Sequence, residues 1–129
     1  MRCALLLFVA GLIGCAPLPP PGSIPPPPDA GPPDIFTGYV ADCSDPSVAY
    51  QSARASTFIA GCPEFDGGWN ACLLKATDTF TKDAIVCATV DLNVDWQRKV
   101  TEGTATDAQR KGALMANSWI YEHQIGVRR

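Results

Sequence analysis

The sequence predicts an all-α domain, small and stapled by disulfides, made of four to five short helices behind a signal segment and a proline-rich linker. Three observations carry this. Apolar residues from Val48 onward recur at helical rather than alternating spacing. Two helix starts are written in capping chemistry, Asp45-Pro46 and Thr106-Asp107-Ala108-Gln109. Four cysteines, Cys43, Cys62, Cys72 and Cys87, fall in the same stretch.

The elements follow in order. Ile35 to Val40 is a short apolar lead-in, expected to lie extended against the domain. Asp45 as N-cap with Pro46 at the first helical position starts a helix that runs to about Ala60 and is stopped by Gly61. Its apolar line, Val48, Ser52, Ala55 and Ile59, consists largely of small residues, which permits close helix packing. After the Gly67-Gly68 turn, with Asp66 as its expected cap, a second helix runs from about Gly68 to Thr77. Trp69, Cys72, Leu73 and Ala76 fall at i, i+3, i+4 and i+7 on it. A third helix starts after Thr81 and buries Ala84, Ile85, Cys87, Ala88 and Leu92. The run Ala84-Ile85-Val86-Cys87-Ala88-Thr89-Val90 is rich enough in β-branched residues to read as a strand, but no other segment offers it a partner. Asn93 to Thr101 reads as a short fourth helix holding Trp96 and Val100, ended by Gly103. The last helix runs from Asp107 to about Gln124, with a seam of Ala108, Gly112, Met115 and Trp119 flanked by Leu114 and Ile120, and Gly126 closing it. Trp69, Trp96, Trp119, Phe58 and Phe80 are the expected core.

Helix geometry narrows the disulfide pairing. Cys43 and Cys62 bracket a helix of about 15 residues and so stand on the order of 20 Å apart, too far for a bridge. An up-down arrangement places Cys62 and Cys72 at one end and Cys43 and Cys87 at the other. It favours Cys43–Cys87 with Cys62–Cys72 over Cys43–Cys72 with Cys62–Cys87.

Ahead of the domain, Met1-Arg2 and the apolar Ala4–Ile13 have the flanks and length of a secretory signal. The apolar run is half the roughly 20 residues needed to span a bilayer. It ends in Leu12-Ile13-Gly14-Cys15, which resembles the lipobox of bacterial lipoproteins. The resemblance implies removal of residues 1–14 and acylation of Cys15 with palmitate-type chains. It thereby implies a membrane anchor in the cell envelope, since more than one acyl chain gives stable attachment. Ala16, where an Asp would resemble an inner-membrane retention signal, favours the outer membrane, facing the periplasm or the surface. Ten of the twelve prolines then lie between Pro17 and Pro33. Residues 15–34 are thus the anchor cysteine and a polyproline II spacer, reaching roughly 50 Å if extended, and residues 35–129 are the helical domain.

Composition limits the function. The net charge is −3, and Arg98-Lys99, Arg110-Lys111 and Arg128-Arg129 are pairs rather than a basic stripe. That excludes an electrostatic footprint for nucleic acid. The domain cysteines contain no C-x2-C pair and His123 is the only histidine, so neither a zinc site nor another cofactor is expected. His123 is the one candidate base near neutral pH, placed in the last helical turn beside Glu122. Asp91 and Asp95, four apart, are the one carboxylate pair for acid–base work on a sugar. Glu64 and Asp66 lack the ligand number of a calcium loop. Tyr39, Tyr50 and Tyr121 are the candidate recognition residues. These residues point to a non-catalytic envelope lipoprotein whose domain binds an envelope protein or a cell-wall component. A short lipobox signal running directly into a proline tract also resembles, over residues 1–34, the outer-membrane subunit of two-component phage spanins, which implies a lysis role. The disulfide-bearing helical domain departs from that pattern. An inhibitor or immunity lipoprotein is the third class.

Overall fold

The computed structural model describes residues 34–129. The signal segment, Cys15 and the proline tract lie outside the described residues. Four α-helices make up most of the domain: α1 (Pro46–Ile59), α2 (Trp69–Ala76), α3 (Lys82–Glu102) and α4 (Asp107–Glu122). A short 3-10 turn, Cys62–Glu64, links α1 to α2, and two three-residue strands, β1 (Val40–Asp42) and β2 (Gly126–Arg128), frame the helices.

The helix starts use the chemistry written in the sequence. Asp45 caps α1 by accepting the Ser47 N–H at 2.8 Å, with Pro46 in the first turn. Thr106 and Gln109 form a reciprocal capping box at α4, with contacts of 3.0 and 2.9 Å. Thr81 caps α3 through the Ala84 N–H. At α2 the expectation fails, because Asp66 does not cap it. The chain turns through Gly67 and Gly68, at φ 102° and 96°, and Gly68 takes the cap position with no side chain to offer. The left-handed turn, which glycine adopts freely, replaces the carboxylate cap.

The two helices expected over residues 82–101 are one. α3 runs unbroken for 21 residues, about 31 Å, to Gly103 in the left-handed conformation. No glycine or proline separates Leu92 from Asn93, so nothing breaks the helix there. The strand-like composition of Ala84–Thr89 has a physical cause: all six residues are buried. α1, α4 and β1 pack around α3, so this part of the helix has no solvent face and shows no amphipathic period.

The strands are an addition to the expected all-helical plan. β1 and β2 pair in parallel, with Val40 opposite Gly126, Ala41 opposite Val127 and Asp42 opposite Arg128. Gly126 therefore opens a strand rather than closing α4, whose last turn ends at Glu122 with His123 as C-cap. The lead-in is extended only from Val40, since residues 35–38 form a turn. That turn drops Phe36 into the core, fully buried, where it meets Trp119 edge-on at 5.3 Å. Burying such a side chain contributes about 2–3 kcal/mol.

Trp69, Trp96 and Trp119 are all buried, and Trp69 packs edge-on against Trp96 at 6.2 Å. Phe80 is only half-buried, and Phe58 is 38% exposed. Phe58 sits at the margin of the α1 face whose centre is Ser52, Ala55 and Ile59. Leu114, expected beside the α4 seam, faces outward at 73% exposure. Two disulfides hold the frame: Cys43–Cys87, with Cα atoms 5.8 Å apart, and Cys62–Cys72, at 5.6 Å. The first ties the end of β1 to α3, and the second ties the 3-10 turn to α2.

Candidate functional site

The densest polar arrangement forms where the lead-in meets α2 and α4. Asp34 stands just before the turn that buries Phe36, and its Oδ1 accepts the Phe36 N–H at 2.8 Å. Its Oδ2 accepts from Asn70 Nδ2 of α2 at 2.7 Å and lies 3.2 Å from His123 Nε2 at the end of α4. Asn70 in turn accepts the Trp119 indole N–H at 2.9 Å, and its two roles fix its amide orientation. His123 Nδ1 lies 3.0 Å from the Trp119 carbonyl, with the two rings 4.9 Å apart. Burial alone would raise the Asp34 carboxyl. The Phe36 N–H, Asn70 and His123 together outweigh it and hold Asp34 below the usual carboxylate value.

This geometry decides what His123 can do chemically. Both of its nitrogens are occupied, one by a carbonyl and one by a carboxylate. A substrate would have to displace one of these contacts to reach either nitrogen. Glu122 is exposed on the same helix end and is not part of the cluster. In the sequence Asp34 reads as the last residue of the spacer, so the cluster's central residue is not marked there. Its only sequence signal was a carboxylate two residues ahead of an aromatic.

The carboxylate pair on α3 is divided between cations. Asp91 pairs with Arg129 at 2.6 Å. Asp95 pairs with Arg98 and, at 3.2 Å, with Lys99. The Lys99 hydrogen bond is the chief reason that the Asp95 carboxyl is held below its usual range. Both carboxylates of the pair are thus engaged with basic side chains at the surface. Glu64 is exposed and stands 3.8 Å from Lys111, and Asp66 is exposed in the glycine turn. Among the described residues no group of three His, Cys, Asp or Glu side chains is placed to hold a metal.

The three tyrosines separate. Tyr39 is half-buried and donates its hydroxyl to Asp83 at 2.5 Å, with the Lys82 ammonium 4.4 Å from its ring centroid. It is therefore structural rather than part of an exposed patch. That hydrogen bond, with burial and the charge of Asp83 behind it, pushes its phenol up to about 12. Tyr50 and Tyr121 are open to solvent, at 65% and 82% exposure, on α1 and α4.

Surface hollows among the described residues include two between helices. One, of about 220 Å³, lies between α1 and α3 over the Cys43–Cys87 bridge, with Ser52 and Ser56 on its wall and the Asp91–Arg129 pair beside it. The other, of about 170 Å³, lies between α3 and α4 and is lined by Gln97, Val100, Arg110, Ala113 and Leu114. Comparison of the chain with protein-family models, with curated proteins and with solved structures finds no match.

Proposed function

We propose that the chain is a non-catalytic cell-envelope lipoprotein, anchored through acylated Cys15, that presents its helical domain on a proline-rich spacer for binding to an envelope protein or cell-wall component. The observation that carries this reading is the order of three features: the Leu12-Ile13-Gly14-Cys15 motif, the proline tract from Pro17, and a domain with two disulfides. Disulfides persist in oxidising compartments outside the cytoplasm, so an exported domain fits the two bridges. The occupied nitrogens of His123 and the ion-paired Asp91 and Asp95 support a binding role over a hydrolytic one. Tyr50 on α1 and Leu114 and Tyr121 on α4 are among the exposed large side chains open to a partner.

The test is the intact mass of the protein extracted from membranes, with and without reduction. The reading expects a chain that starts at Cys15, carries added acyl mass, and gains four hydrogens on reduction. An unlipidated chain, or a Cys15→Ala variant that fractionates with membranes as the wild type does, would refute the anchor. Crosslinking through Tyr50 and Tyr121 then identifies the partner. Recovery of a membrane-anchored coiled-coil protein would select the spanin-like alternative, and recovery of a lytic enzyme the inhibitor class.

A further inference from the structure

The two disulfides differ in how a reagent can reach them. Cys62 and Cys72 are each 1% exposed, and neither of the two hollows is lined by them. Cys43 is half-buried, and both Cys43 and Cys87 line the hollow of about 220 Å³ between α1 and α3. The α1 wall of that hollow is made of Ala49, Ser52, Ala53 and Ser56, so the bridge is bordered there by methyl and hydroxymethyl groups only. We propose that Cys43–Cys87 is a thiol–disulfide exchange site, at which a small-molecule thiol enters the hollow and adds to Cys43, while Cys62–Cys72 is the permanent bridge.

Access decides which sulfur of a disulfide is attacked. Cys87 is 2% exposed, so Cys43 is the more open of the two. The incoming thiolate bonds to Cys43 Sγ, the bond between Cys43 and Cys87 breaks, and its electron pair leaves on Cys87 Sγ, which takes a proton from water. Cys43 then carries the small thiol as a mixed disulfide. A second thiolate attacks the small thiol's sulfur in that mixed disulfide and displaces Cys43, which is also protonated. Two thiols have then been oxidised to one disulfide, and the protein bridge reduced. The Asp91–Arg129 pair at the rim brings no net charge against the thiolate. Opening the bridge does not release the segment that carries Cys43. Phe36 is fully buried, the Gly38 N–H donates to the His123 carbonyl at 2.7 Å, and Lys82 donates to the Ile35 carbonyl at 3.1 Å. Tyr39 donates to Asp83, and β1 stays paired with β2. The exchange therefore proceeds on the folded domain, whereas Cys62–Cys72 waits for the 3-10 turn and α2 to open.

The test is reaction of the folded full-length mature chain with reduced glutathione at about pH 8, near the thiol pKa, with acid quenching, alkylation and peptide mapping over time. Mapping reads each cysteine by itself, so the result stands whatever the state of Cys15. Cys43 and Cys87 should open at least about tenfold faster than Cys62 and Cys72, with the first glutathione adduct on Cys43. The rate at Cys43–Cys87 should also be unchanged by urea below the unfolding transition. In Ala53→Phe, which puts a ring on the α1 wall of the hollow, that rate should fall several-fold while the Cys62–Cys72 rate holds. Equal rates at the two bridges, or an adduct that forms first on Cys87, would overturn the proposal. So would a Cys43–Cys87 rate that climbs with urea from the first addition, since exchange would then run through unfolding; this arm decides even if Ala53→Phe does not fold. An unchanged rate in a folded Ala53→Phe protein would show that the thiol does not come through the hollow, and would overturn it too.

Discussion

Replacing Gly112 by alanine puts a methyl group where α4 presses against the edge of Trp96. A Cβ at that position lies 2.6 and 2.9 Å from two carbons of the Trp96 ring and 2.9 Å from Pro63 Cγ. Carbon atoms in good contact stand about 3.5–4.0 Å apart, so the neighbours must retreat by roughly 1 Å. They are poorly placed to do so. Trp96 is buried and braced edge-on by Trp69, and Pro63 lies in the turn beside the Cys62–Cys72 bridge. Overpacking costs about 1–3 kcal/mol, and overlap with two braced neighbours falls in the upper part of that range, about 2–3 kcal/mol. Alanine's better helix propensity returns about 1 kcal/mol. The net expectation is a loss of about 1–2 kcal/mol, or a fall in Tm of about 5–15 °C for a domain of this size. Urea and thermal unfolding followed by far-UV circular dichroism measure it. Gly61→Ala is the control. There a Cβ meets only the Phe58 carbonyl at 3.6 Å and φ is −89°, so it should be neutral or raise stability by up to about 1 kcal/mol. A Gly112→Ala protein as stable as the wild type would show that the Trp96 edge can move, and the packing argument would be wrong.

Three other outcomes follow from the same structure. The chain-entropy model assigns about 4 kcal/mol to the Cys43–Cys87 bridge and about 3 kcal/mol to Cys62–Cys72, from sequence separations of 44 and 10. Paired Cys→Ala variants should rank in that order in urea, and a reversed order would count against the model here. Thr89 is fully buried on α3 and its hydroxyl finds no partner among the described residues, so Thr89→Val should gain about 1 kcal/mol by removing an unsatisfied group; a loss in calorimetry would mean that the hydroxyl is engaged. The Tyr39 phenol, raised from 10.0 to about 12 by Asp83, contributes stability that is fully present below about pH 10 and is lost as pH rises through about 12. Spectrophotometric titration should lose its latest tyrosine step in Asp83→Asn, and an unchanged curve would contradict the assignment.

The parts of the fold that could be read in the sequence are those specified locally. Asp45-Pro46 and the Thr106–Gln109 box mark real helix starts because a cap is satisfied within three residues of itself. The face of Trp69, Cys72, Leu73 and Ala76 is legible because α2 is buried on one side only. Helix length excludes a Cys43–Cys62 bridge and an up-down arrangement favours the pairing that the chain has, Cys43 to Cys87 and Cys62 to Cys72. What escaped depends on distant partners. β1 and β2 are three residues each, too short for a period, and exist because the two ends of the domain meet. Asp34 and Phe36 looked like the end of a spacer and the start of a lead-in. Only Asn70, Trp119 and His123, folded back from 36 or more residues away, make them part of the core and the cluster. The start of α3 reads like a strand because residues 84–89 are all buried.

The Cys43–Cys87 bridge also sets how the domain responds to mechanical load. Tension applied between the lead-in and the C-terminal strand does not run along the whole backbone. It passes from Val40 to Cys43, crosses the sulfur–sulfur bond into the second turn of α3, and continues through α4 to β2. α1, α2 and the turn between them sit inside the closed covalent loop and bear none of it. Because β1 and β2 are parallel, pulling their outer ends apart strains the ladder bonds together in shear rather than opening them one by one. In a pulling experiment, reduction should release the loop and add on the order of 150 Å of contour length, at about 3.3–3.6 Å per residue. The same contour length in both redox states would show that the load takes another route.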